Sequence, residues 1–102
     1  MHRFTLLVIA LFLSTLSLAQ TTFKAQILDN ESGNPLVGAT LYFPQLELGG
    51  TSDENGWVSV AAIPNGTHTL LVQYLGYETL RLRLSFPLEG AEPPVFRLEQ
   101  EE

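Results

Sequence analysis

Gly49-Gly50-Thr51-Ser52-Asp53-Glu54-Asn55-Gly56-Trp57-Val58-Ser59-Val60 is the stretch on which the reading of this chain turns. Asp53, Asn55 and Gly56 tolerate positive φ or bond their own backbone, which is the chemistry of a tight hairpin. From Trp57 the chain alternates, Val58 and Val60 against Trp57 and Ser59, up to a second turn at Pro64-Asn65-Gly66. A period of two is that of a half-buried strand. The Asp53-x-Asn55-Gly56 spacing is also shared with the opening of a calcium loop, which needs a bidentate acid at its twelfth position. Counted from Asp53 that position is Pro64, and no acid lies between Glu54 and Glu78. The stretch therefore reads as a turn and not as a metal site.

Working outward, the same alternation recurs on both sides. Phe23, Ala25 and Ile27 alternate with Thr22, Lys24 and Gln26, ending at the loop Asp29–Pro35. Ala39, Leu41 and Phe43 share a face before Pro44, and Gln45–Gly50 is a short connection or an edge strand. Beyond Pro64-Asn65-Gly66, His68, Leu70, Val72 and Tyr74 share one face of a run from Thr67 to Tyr74. Gly76-Tyr77 breaks it. Leu80, Leu82, Leu84 and Phe86 then oppose Thr79, Arg81, Arg83 and Ser85. A helix would scatter those four apolar residues, so a strand is the economical reading. Pro87–Pro94 is a loop, Val95–Leu98 a last strand with Phe96 and Leu98 inward, and residues 99–102 a solvated acidic tail. Seven short strands without a helical period indicate an all-β, seven-stranded antiparallel β-sandwich.

The first nineteen residues stand apart. Arg3 precedes an uncharged apolar run from Thr5 to Ala19, closing on Ser17-Leu18-Ala19. That is the layout of a secretory signal peptide cut before Gln20. The run of about 15 residues is short of the roughly 20 that a bilayer-spanning helix needs, which disfavours a retained anchor. No cysteine stands near the cut to take a lipid. Residues 20–98 are then one sandwich domain. Residues 20–102 carry four basic residues (Lys24, Arg81, Arg83, Arg97) against eleven acidic ones, a net −7, and this argues against nucleic acid or anionic membrane as partner. The chain has no cysteine. An exported domain this small without disulfides suits a bacterial periplasmic or surface module better than a eukaryotic secreted one.

Catalytic chemistry finds little to work with. His68 is the one histidine after the leader, so neither a His-Glu zinc set nor a Ser-His-acid system can be assembled around it. No catalytic residue, metal ligand or cofactor-binding residue is assigned, and the expected cofactor is none. Trp57, opposite Val58 and Val60, lies on an outer face, where it either pairs across strands or offers a stacking platform. Tyr42, Tyr74 and Tyr77 are the other candidates for stacking on a sugar or a partner. Asn30-Glu31-Ser32 and Asn65-Gly66-Thr67 match the glycosylation pattern but read as turn chemistry.

Four turns in order carry a resemblance. Asn34-Pro35-Leu36 with Gly38-Ala39-Thr40-Leu41, Thr51 to Gly56, Ile63-Pro64-Asn65-Gly66, and Tyr74-Leu75-Gly76-Tyr77-Glu78 are similar to the pattern of the carboxypeptidase regulatory-like domain family. The resemblance covers Phe23 to Leu98, with Gly38, Asp53, Gly56, Pro64, Gly66, Gly76 and Tyr77 as its structural signature. Ser52 intrudes between Thr51 and Asp53 or replaces the family's usual Thr, and Val58 and His68 stand where the family favours aromatics, which leaves side-chain packing open. The resemblance implies a transthyretin-like (prealbumin-like) Greek-key sandwich. It also implies the setting of an exported domain that precedes the plug and barrel of TonB-dependent outer-membrane receptors in gram-negative bacteria. The expected function is a non-catalytic interaction domain of the periplasm or outer membrane with a protein partner, associated with TonB-dependent uptake, either as a stand-alone module or as the front end of a truncated receptor. The alternative is a carbohydrate-binding module of the starch-binding-like sandwich type, with a glycan as ligand. Hydroxyisourate hydrolases share the fold class, but their histidines and Tyr-Arg-Gly-Ser-type ending are missing from this chain, which ends Glu-Gln-Glu-Glu.

Overall fold

Strand alternation and turn chemistry together place the chain in two facing sheets. The computed structural model describes residues 20–90 and 92–102, and the expected leader at residues 1–19 lies outside them. The strands are β1 (Gln20–Asp29), β2 (Thr40–Phe43), β3 (Leu48–Thr51), β4 (Trp57–Pro64), β5 (Gly66–Gln73), β6 (Leu80–Phe86) and β7 (Val95–Leu98). One sheet has the order β4-β1-β7 and the other β3-β2-β5-β6. This is the all-β Greek-key sandwich expected from the alternation and the resemblance, with Gln45–Gly50 supplying edge strand β3.

One pairing departs from the all-antiparallel expectation. β7 runs parallel to β1, from Gln26↔Val95 to Asp29↔Leu98. The connection from β6 to β7 crosses between sheets, so no hairpin constrains the direction in which β7 arrives. A second departure is a bulge where β1 and β4 pair. Thr21↔Ile63 is followed by Phe23↔Val60, so Thr22 opposes both Ala61 and Ala62, the latter at φ 66°. Simple alternation after Val60 would turn Ala62 inward. The extra residue instead exposes both alanines and buries Ile63.

The core lies between the sheets. Phe23, Ala25 and Ile27 from β1 and Val58, Val60 and Ile63 from β4 face Leu41 and Phe43 from β2 and Leu70 and Val72 from β5. Phe96 and Leu98 are buried as their alternation implies. Phe23 is the hub. Its ring stands edge-on to Phe43 at 5.8 Å and to Phe86 at 5.6 Å, with Phe96 at 6.4 Å. Such edge-to-face pairs add to area burial by about 0.5–1.5 kcal/mol each. On β6 only Phe86 is fully buried, while Leu80, Leu82 and Leu84 are half-buried. β7 is too short to cover that edge along its whole length.

Candidate functional site

Five of the seven signature residues converge on one end of the sandwich. There the loop after β1, the turn before β4, the corner after β5 and the end of the chain meet. Asp53 closes its turn twice over: its Oδ1 accepts from the Asn55 and Trp57 amides at 2.9 Å each, while its own N–H donates to Trp57 O at 2.8 Å. Gly56 follows at φ 81° and is buried. Its carbonyl accepts from Ile27 N at 2.7 Å, and Gln26 Nε2 donates to Asn55 O at 2.9 Å. A Cβ on Gly56 would stand 2.5 Å from Ile27 O and 3.1 Å from Pro35 Cβ, so the turn lies flush on β1. The Asp53 oxygen Oδ1, which would open a calcium loop, is here spent on backbone amides.

Ser52, which reads in the sequence as an intrusion, is the buried tie of this end. Its Oγ accepts from Ala39 N at 2.9 Å and donates to Leu36 O at 2.5 Å. Its backbone bonds Gly38 N at 3.0 Å and Ala39 O at 2.9 Å. The hydroxyl thereby satisfies two backbone groups of the Pro35–Ala39 bend. Gly38, at φ 83°, makes that bend.

Asp29 is the functional-looking residue that sequence reasoning missed. It closes β1 and is only 4% exposed. Oδ1 accepts from the amides of Glu31 and Ser32 at 2.8 Å each. Oδ2 accepts from Tyr77 Oη at 2.5 Å and from Gln100 Nε2 at 3.3 Å. The tyrosine hydroxyl, followed by the backbone amides, holds the Asp29 carboxyl well below the ordinary carboxylate range. The same contact raises the Tyr77 hydroxyl above its ordinary value, because the neighbouring carboxylate disfavours a phenolate. The C-terminal segment is drawn into this knot. Its side chains are exposed as expected of an acidic tail, yet its backbone is paired. Glu78 N donates to Glu99 O at 2.8 Å, Glu101 N donates to Gly76 O at 2.9 Å, and Tyr77 and Gln100 form a β-bridge. The sequence signal was slight, a turn-forming aspartate beside a Gly-Tyr corner.

Pro64 and Gly66 form the turn between β4 and β5 at the opposite end, beside His68. His68 Nε2 lies 2.9 Å from Pro64 O, and its ring packs 6.0 Å from Phe86. Of the stacking candidates only Tyr74 and Tyr77 are brought together. Trp57 is on the outer face of the three-stranded sheet, with Lys24 Nζ 5.6 Å from its ring centroid. Tyr42 is on the outer face of the four-stranded sheet, paired with Gly49 and Leu71. Tyr77 belongs to the Asp29 knot, edge-on to Tyr74 at 5.3 Å.

Charge is sorted by position. Lys24, Arg81, Arg83 and Arg97 all lie within strands, whereas every acidic residue except Asp29 lies in a turn, a loop or the C-terminal segment. The sheet faces are thus mildly basic and the ends acidic. Among the described residues no three His, Cys, Asp or Glu side chains are grouped to hold a metal ion. No helix among them is long and apolar enough to cross a membrane.

Comparison with solved structures finds the same fold in protein assemblies. A chain from a C-terminal interface mutant of a type II cohesin–X-dockerin complex from Acetivibrio cellulolyticus superposes with a TM-score of 0.62 at 14% identity. The match covers 76% of this chain and 56% of that one. A chain from the N-terminal interface mutant of the corresponding complex gives 0.58 at 16% identity, covering 76% and 51%. This chain thus spans about half the length of those it resembles. No curated protein sequence matches it. The model of the CarboxypepD_reg-like domain matches residues 23–102, nearly the whole of the described sandwich together with its paired C-terminal segment, and the chain belongs to that family.

Proposed function

We propose that this chain is an exported, non-catalytic protein-interaction domain of the gram-negative periplasm or outer membrane, associated with TonB-dependent uptake. The observation that carries the reading is where the polar side chains are spent. Both oxygens of Asp29, the hydroxyl of Ser52, Oδ1 of Asp53 and the imidazole of His68 are each hydrogen-bonded within the fold. Among the described residues the His68 ring nitrogen Nε2 is taken up by Pro64 O and not by a Ser or Thr hydroxyl. What the domain offers to the outside is sheet surface and strand edge, and its outer faces carry Arg and aromatic residues without carboxylates, a composition favoured at interface hot spots. The similar solved chains come from complexes between proteins, which supports the same reading by analogy of fold.

Export rests on the leader-like sequence of residues 1–19, and the link to TonB-dependent uptake on the family resemblance. The test is expression of the full chain in a gram-negative host, followed by fractionation, N-terminal sequencing and cross-linking in the envelope. The expected product begins at Gln20, lies in the envelope fraction and cross-links to a receptor or its surface partner. A cytoplasmic product retaining Met1, or a hydrolase activity that disappears in His68→Ala, would refute it.

A further inference from the structure

We infer that the first half of β1 is an open docking edge that takes an extended, alternating apolar–basic segment of a partner protein as an added strand. This rests on the reading of the domain as an interaction module and specifies how it would engage a partner. Backbone direction alternates along a strand. Ile27 N donates to Gly56 O on the β4 side, and Gln26 N donates to Pro94 O on the β7 side. Thr22 and Lys24 therefore turn their N–H and C=O groups toward the β7 side as Gln26 does. Among the described residues, however, the β1–β7 ladder begins only at Gln26. The chain that would continue it is Pro93-Pro94, which has no N–H to give.

Beside this stretch of edge runs a groove of about 360 Å³ between Thr21–Lys24 on one side and Pro87–Gly90 and Glu92–Pro94 on the other. Half-buried Leu84 and Leu88 line it together with Phe23. An added strand would find main-chain partners on the β1 side, and places for alternate apolar side chains over Leu84 and Leu88. The rim sets the charge of the occupant. Glu89 and Glu92 stand on the loop side. The one cation of the β1 side, Lys24, leans the other way, its Nζ over the Trp57 ring on β4. The groove is left acidic, so the outward residues of the occupant are Lys or Arg.

The probe is the peptide acetyl-(Lys-Val)4-amide, titrated into the full chain with hydrogen exchange followed residue by residue. Binding is expected to slow exchange at the Thr22 and Lys24 amides and to weaken at least tenfold in Lys24→Pro. That variant removes an edge N–H without touching the β1–β4 ladder. Glu89→Gln with Glu92→Gln should weaken binding likewise, whereas Glu101→Gln with Glu102→Gln, at the far end, should not. Absence of binding, binding without protection of those two amides, or equal loss from the two glutamate pairs would overturn the inference. Concentration-dependent dimerisation abolished by Lys24→Pro would put a second copy in the slot and also overturn it. Envelope cross-links from a photoreactive residue at Arg83 but none from Thr22 would sink the groove and leave the interaction reading standing. Cross-links from neither would sink both.

Discussion

Replacing Gly56 by alanine adds one methyl group at the most crowded point of the signature turn. Two costs are separable. The first is conformational: φ is 81°, and a Cβ in the left-handed region costs about 1 kcal/mol or somewhat more. Gly38→Ala isolates that cost, since its φ is 83° and nothing lies within 4 Å of the added atom. The second cost belongs to Gly56 alone. Its Cβ would stand 2.5 Å from the backbone oxygen of Ile27, which cannot swing away as a side chain could. Relief requires the turn to lift off β1, stretching the 2.7 Å bond from Ile27 N to Gly56 O and the Gln26 contact to Asn55. Overpacking of this kind costs about 1–3 kcal/mol and a weakened hydrogen bond about 1 more. Gly56→Ala should therefore cost about 3–5 kcal/mol, against about 1 for Gly38→Ala and under about 0.5 for the exposed Glu54→Ala. A domain of this size has roughly 4–12 kcal/mol in all. Urea midpoints at constant slope read the three directly. In melting temperature, each kcal/mol is worth about 4–8 °C. Equal midpoints for Gly56→Ala and Gly38→Ala would show that the turn does not rest on β1.

Ser52→Ala should cost about 1–3 kcal/mol for each of the two groups it orphans, Ala39 N and Leu36 O, read as a lowered urea midpoint. A change under 0.5 kcal/mol would mean that water reaches the bend. Asp29 has a depressed folded-state pKa, so its contribution is present above its ordinary value of 3.8 and is lost as pH falls below that toward the folded value. The urea midpoint should drop between about pH 5 and pH 2, and Asp29→Asn should flatten that acid limb. An unchanged limb would assign acid unfolding to other carboxylates. Phe23→Ala removes the ring shared by Phe43, Phe86 and Phe96 and should cost about 3–5 kcal/mol, checked by loss of cooperative thermal unfolding.

What could be read from the sequence was whatever local rules decide. Leu80-x-Leu82-x-Leu84-x-Phe86 is a strand by alternation alone, and Asp53-x-Asn55-Gly56 is a turn because its side chains bond their own backbone. What could not be read depends on residues far apart in the chain. Ile63 faces inward because β1 spends one residue where β4 spends two, and neither strand alone records that mismatch. The parallel arrival of β7 depends on a loop that changes sheets. Gly49-Gly50 looks like a linker, yet a Cβ on Gly50 would meet Val58 Cγ2 at 2.9 Å where the two sheets approach. The Asp29 knot was invisible for the same reason, since its partners lie 48 and 71 residues away. Trp57, Tyr42, Tyr74 and Tyr77 share only an aromatic ring in the sequence, and the topology distributes them over two faces and one end.

The parallel pair of β1 and β7 has a mechanical consequence. Gln20 enters at the end of the sandwich near Pro64, and Glu102 leaves at the other, beside Gly76. Tension along the chain would draw β1 toward its first residue and β7 toward its last, sliding two neighbouring strands past one another in opposite senses. The rungs from Gln26 to Asp29 would then be strained together rather than peeled apart in turn. A pull from either neighbour in a longer assembly would meet its stiffest resistance at the place where this small domain holds only four residues of ladder.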